Sequence, residues 1–133
     1  MKNIQDKVNY WLELAEYDIS TVKSLFRSKK FLYVAFFCHL TIEKSLKAFY
    51  WKKLENEPPY THNLLILSTK SEIDKILLPK HKSLINKLMP LNIEARYPSN
   101  KDELFKILTF DYVKSLVKET ESLYKWIKKQ IEL

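Results

Sequence analysis

Phe31-Leu32-Tyr33-Val34-Ala35-Phe36-Phe37-Cys38-His39-Leu40-Thr41-Ile42-Glu43-Lys44-Ser45-Leu46-Lys47-Ala48-Phe49 is the stretch on which the fold turns. Within it Ala35, His39, Ile42, Leu46 and Phe49 recur at threes and fours, the spacing that lines side chains along one face of an α-helix. The pattern ends before Pro58 and Pro59, whose fixed φ and missing N–H stop a helix, so a helix is predicted over 31–55. The uninterrupted apolar run, Phe31 to Cys38, is far shorter than the roughly 18 residues needed to cross a bilayer, which predicts no membrane span.

Upstream, Val8, Trp11, Leu12, Ala15, Ile19, Val22 and Phe26 keep the same period and predict a helix over 4–28. Downstream, Val113, Leu116, Val117, Thr120, Leu123, Tyr124, Ile127 and Ile131 predict a helix over 109–131, with Thr109 as its N-cap. Between them the pattern is choppier. Thr61 and Ser71 are candidate N-caps, and Pro79 suits a first helical position ahead of Leu84, Ile85 and Leu88, so two or three short helices are expected. Pro90 and Pro98 bracket the most irregular segment, Leu91 to Tyr97, and Ser99 with Asp102 marks the start of another helical turn. Three long amphipathic helices cannot persist singly in water and must bury their stripes against one another. The predicted fold is all-α, a single domain over 1–133 built as an up-and-down bundle of about five helices.

Composition narrows function. The chain has 133 residues and no glycine. Phosphate-cradling loops, dinucleotide-binding turns and nucleophile elbows all use glycine where bare backbone must approach a ligand or pass a strained turn, and those enzyme classes are excluded. Cys38, the single cysteine, has no partner for an internal disulfide, and no charged-then-apolar leader opens the chain, so a cytoplasmic home is expected. A net charge of +7 favours a polyanionic partner, yet only Arg27 and Arg96 among 23 basic residues are arginine. The aromatic residues near helix ends, among them Tyr10, Trp11, Tyr50 and Trp51, either cap the core or leave surface for a dimer partner.

Few residues can carry chemistry. His39 lies on the apolar stripe one turn before Glu43, so imidazole and carboxylate share a face, either as an oriented base or as a core histidine satisfied by hydrogen bonds. One histidine and one carboxylate fall short of a protein metal site, and no metal or cofactor is expected. Glu43 is placed to pair with Lys47 at i, i+4; turned inward, it needs a buried cation, for which Arg96 is a candidate. His62 and Asn63 open a leucine-rich turn, where a histidine commonly serves as a structural cap. His81 is expected on the surface. Arg96, in Asn92-Ile93-Glu94-Ala95-Arg96-Tyr97-Pro98, offers a planar fork either for a ligand's phosphate or for an internal carboxylate. Cys38 sits in apolar surroundings that keep a thiol inert.

Cys38-His39-Leu40-Thr41-Ile42-Glu43-Lys44-Ser45-Leu46-Lys47-Ala48 resembles the second-helix signature of the HEPN domain family. Ala15-Glu16-Tyr17-Asp18-Ile19, His62-Asn63-Leu64, the segment Asn92 to Pro98 and the closing Tyr124-Lys125-Trp126 follow in the family's order. The resemblance implies a compact helical bundle, often a homodimer, similar to the helical part of aminoglycoside nucleotidyltransferases. It also implies a minimal nucleotidyltransferase as protein partner, the two forming a toxin and antitoxin, with nucleotide or RNA as ligand. His39, Glu43, Lys44, Lys47, His62, Arg96 and Tyr97 are the candidate nucleotide- or RNA-binding residues. Some members are metal-independent RNases that use an arginine followed four to six residues later by a histidine. Here the first histidine after Arg27 is His39, twelve positions on, and none follows Arg96, so whether the chain is an enzyme stays open. Two alternatives stand beside binding: an RNase toxin with His39 or His62 as base and Arg96 as charge stabiliser, and a purely structural dimerisation module.

Overall fold

The computed structural model describes residues 3–92 and 101–133. Six α-helices are described, α1 (Ile4–Arg27), α2 (Phe31–Leu54), α3 (Leu64–Lys70), α4 (Pro79–Leu88), α5 (Lys101–Ile107) and α6 (Phe110–Glu132), with a short 3-10 turn at Ile73–Lys75. No strand occurs among the described residues. The three long helices start and stop within a residue or so of the boundaries expected from apolar spacing. The expectations for Ile93 to Pro98, including Arg96 and Tyr97, and for Ser99 fall outside the described residues.

Helix α1 begins at a reciprocal cap: Asn3 Oδ1 accepts from Asp6 N–H at 2.8 Å while Asp6 Oδ2 accepts from Asn3 N–H at 3.3 Å. It ends without glycine. Lys29 takes φ 61°, which lets its N–H reach Phe26 C=O at 3.0 Å and lets Lys30 N–H reach Leu25 C=O at 2.9 Å, the double bond pattern that closes a helix C-terminus. Glu55 plays the same left-handed role after α2, at φ 55°. These positions do with lysine and glutamate what other chains do with glycine.

The short turn between Arg27 and Phe31 makes α1 and α2 antiparallel neighbours. Their contacts run in opposite chain directions, Lys7 with Trp51, Trp11 with Lys47 and Asp18 with Lys44. Helix α6 packs against both. Phe110 meets the rings of Phe26 and Phe31, ion pairing joins Lys23 to Glu121, and Tyr124 donates to Glu16. As numbers rise along α6 they fall along α1, so α6 runs against α1 and alongside α2. Helices α3 to α5 lie in the stretch of chain that leads from the far end of α2 back to the start of α6.

Helix α2 is the spine. Val34, Ala35, Cys38, Ile42, Leu46 and Ala48 are fully buried, and Thr41, Ser45 and Lys47 on its other sides are buried too. A helix covered on so many faces can hold polar side chains only if each finds a partner. Thr41 and Ser45 meet this by donating to carbonyls one turn back, Phe37 C=O at 2.8 Å and Thr41 C=O at 2.7 Å.

Three local expectations need correction. Thr61 does not cap α3: Asn63 does, its Oδ1 accepting from Leu65 N–H at 2.9 Å and Ile66 N–H at 3.1 Å, while Thr61 Oγ1 accepts from Asn63 N–H. The helix must start there for Leu64 and Leu67 to enter the core. Ser71 closes α3, its N–H bonded to Leu67 C=O; Glu72 is the N-cap of the following turn, although Ser71 Oγ accepts from Ile73 N–H at 3.5 Å. His81 is buried, not exposed: it turns back over the first turn of α4, where Nδ1 accepts from Leu78 N–H at 3.1 Å and the ring packs 4.5 Å from Trp126. That acceptor duty suits a neutral ring, and burial, reinforced by Lys80, lowers its pKa.

Candidate functional site

Glu43 is the centre of the site. It sits midway along α2, where the helix is enclosed, and its carboxylate is 3% exposed. Removing a carboxylate from water is unfavourable unless cations and donors replace the lost hydration. Lys47, one turn on, gives Nζ to Oε2 at 3.0 Å. His62, from the chain between Pro59 and α3, places Nδ1 3.0 Å from Oε1 and 3.1 Å from Oε2. His39, one turn before, brings Nδ1 to 3.7 Å from Oε1, beyond hydrogen-bond length. The inward-facing Glu43 therefore takes Lys47 and His62 as its partners; Arg96, the other candidate, lies outside the described residues.

A carboxylate can only accept, so His62 Nδ1 must donate, which fixes Nε2 as the acceptor of the neutral ring. The His62 side chain is 54% exposed, whereas Glu43 beneath it is buried. The arrangement presents an oriented imidazole to solvent from a carboxylate floor. Lys47 lies beside it, its ammonium also 5.0 Å over the ring of Trp11.

His39 is the base of the cluster and is closed to solvent. Neither ring nitrogen has a hydrogen-bond partner among the described residues. Burial is the chief reason that its pKa falls to about 4, with attraction to Glu43 and the nearby His62 backbone offsetting only part of the penalty. The ring is neutral at physiological pH, with one N–H and one acceptor nitrogen. It is a core histidine, but among the described residues it lacks the close hydrogen-bond partners that usually satisfy such a residue.

Lys44 faces elsewhere. It donates to Asp18 Oδ2 at 2.7 Å across the α1–α2 contact, and the burial of Asp18 raises that carboxyl's pKa despite the lysine. Cys38 is fully buried and its thiol is pushed up to about 12, which keeps it in the unreactive protonated form. Among the described residues no three His, Cys, Asp or Glu side chains are grouped to hold a metal ion, and no helix is long and apolar enough to cross a membrane.

Lys47 borders a cleft that sequence spacing did not reveal. About 350 Å³ in volume, it lies where the start of α1 meets the end of α2, under the chain from Glu57 to Tyr60. Trp11 and Trp51 line it, and Lys7 Nζ sits 5.5 Å over the Trp51 ring. The sequence signal was present in the aromatic residues near the helix ends, but only antiparallel packing brings Trp11 and Trp51, forty positions apart, into one wall. A broader hollow of about 660 Å³ beside α4, lined by Leu77, Pro79 and Lys82, holds no comparable set of groups.

The fold and site together define a small helical bundle whose middle of α2 supplies a buried acid to a histidine that follows two prolines. The HEPN domain family model matches residues 8–130, and the chain belongs to that family. No curated protein and no solved structure matches the chain.

Proposed function

We propose that this HEPN protein is the nucleotide- or RNA-binding member of a pair with a minimal nucleotidyltransferase, the two acting as toxin and antitoxin. The carrying observation is the Glu43 cluster, in which one buried carboxylate holds the exposed His62 beside the mostly buried Lys47. An ammonium and an imidazole side by side suit phosphate oxygens. A net charge of +7 supports the same ligand class. Arg96 and Tyr97 complete the proposed binding set from their family motif. Exposed Phe105, Ile107 and Phe110, between the end of α5 and the start of α6, offer apolar surface for a protein neighbour, whether the nucleotidyltransferase or a second copy of this chain.

The test has two arms. Calorimetry with nucleoside triphosphates and with short single-stranded RNA should show saturable binding that His62→Ala weakens at least about fivefold. Co-expression with a minimal nucleotidyltransferase should yield a complex that survives purification. Absence of both ligand binding and complex refutes the proposal.

One observation favours a second function. With Nδ1 held by Glu43, His62 has Nε2 free among the described residues to accept a proton from an attacking hydroxyl, as an oriented general base does. The protein would then be an RNase, with Arg96 stabilising the phosphorane. Cleavage of RNA by the wild type, lost in His62→Ala and Arg96→Ala, is its signature; folded, inactive wild type eliminates it.

A further inference from the structure

We infer that the cleft between the start of α1 and the end of α2 is a nucleotide subsite, in which a base lies against Trp51 and Tyr60 while its phosphate meets Lys7 and Lys47. This rests on the proposed nucleotide or RNA function and assigns it a place.

Four features of the cleft converge on that chemistry. Its volume of about 350 Å³ lies within the range of small-ligand sites, roughly 300–1,000 Å³. Its walls are aromatic, and flat rings bind bases by stacking regardless of sequence. Its charge is interleaved with those rings, because Lys7 stands over Trp51 and Lys47 over Trp11 at 5.5 and 5.0 Å. A purely apolar ligand would waste both ammonium groups, and a bare anion would leave the indoles unused. A nucleotide, a flat ring joined to a phosphate, engages both.

The fourth feature is Tyr60. Its side chain is fully exposed at 104%, on a loop that Pro58 anchors by burial and Pro59 stiffens. A large aromatic side chain held out in water beside an aromatic wall gains contact area only when something flat enters. Glu57, the one acid among the described residues lining the cleft, can only accept hydrogen bonds as a carboxylate. It suits the amino edge of a base and repels phosphate, which leaves the lysine side for the anion.

Lys47 belongs to both the cleft and the Glu43 cluster, so an RNA strand can place one nucleotide in the cleft and an adjacent phosphate at His62. Nothing in that arrangement uses a glycine loop, in keeping with a chain that has none.

Indole fluorescence provides the test. Titration of the intact protein with ATP, GTP and a short single-stranded RNA should quench Trp11 and Trp51. Saturation by a triphosphate alone marks a free nucleotide as the occupant, and saturation by the oligonucleotide alone marks an RNA strand; either supports the subsite. Tyr60→Ala, whose side chain contributes nothing to the packed fold, should weaken binding about fivefold or more. Lys7→Ala should lower the dependence of log affinity on log salt by about 0.7 for an RNA strand. Binding that both variants leave unchanged while His62→Ala abolishes it overturns the subsite and spares the broader function. Failure of every ligand to bind the wild type overturns both.

Discussion

A buried histidine whose ring nitrogens find no hydrogen-bond partner among the described residues is an unusual thing to keep in a small core. His39 is neutral in the folded protein because burial drives its pKa down to about 4, whereas in the unfolded chain it titrates near 6.5. Between those values the unfolded state binds more protons, so stability contributed by the neutral ring is full above about pH 6.5 and is lost as pH falls toward 4. The loss amounts to roughly 3 kcal/mol at its limit. Asp18, whose pKa is raised by burial, works the other way: its folded form holds protons more readily, so acid removes an unfavourable buried charge. Denaturant titrations at pH 7 and pH 4.5 separate the two. His39→Leu should remove most of the wild-type decline, and an equal decline in both proteins contradicts the assignment. At this scale the sequence was half legible. Spacing alone put His39, Glu43 and Lys47 on one face of α2. It could not show that the partner of Glu43 comes from His62, nineteen positions away and past two prolines. His81, flanked by Lys80 and Lys82, carries no sequence mark of the buried cap that its ring forms.

Among the elements, the long helices were readable because α1 and α6 each bury a single stripe and begin at side-chain caps, Asn3 and Thr109. The helix ends were less readable, since the usual marker of a left-handed C-terminal residue is glycine and this chain has none. Lys29, Glu55 and Glu72 take that conformation instead, at φ of 61°, 55° and 67°. Each side chain meets a steric cost of about 1–2 kcal/mol there that glycine avoids, partly offset by glycine's greater freedom in the unfolded chain. Lys29→Gly should therefore stabilise the protein by about 0.5–1 kcal/mol, read as a higher denaturation midpoint at unchanged slope. A lower midpoint would show that the α1–α2 turn is held by the lysine side chain and not by its backbone. The same α1–α2 hairpin joins residues distant in sequence: by fixing the antiparallel register it sets Lys7 against Trp51 and Trp11 against Lys47.

Across the whole molecule, the candidate site runs along the second half of α2, from the middle of that helix to its end. Glu43 is buried in the spine, His62 reaches outward from it, and the mostly buried Lys47 borders the aromatic cleft that continues toward Tyr60. The family was legible from motifs spread along the chain, and two of them, the α2 signature and the histidine before α3, supply His39, Glu43, Lys47 and His62 to this cluster. The protein's three histidines supply their own controls for testing it, since His39 and His81 are buried and His62 is exposed. The most direct measurement is a two-dimensional spectrum of the imidazole nitrogens in protein labelled with ¹⁵N-histidine, followed through separate titrations with a nucleoside triphosphate and with single-stranded RNA. The account predicts a saturable shift of the His62 nitrogens, largest at Nε2, with His39 and His81 nearly unmoved. Saturable RNA binding that leaves His62 unshifted, or no saturable change with either ligand, would contradict it.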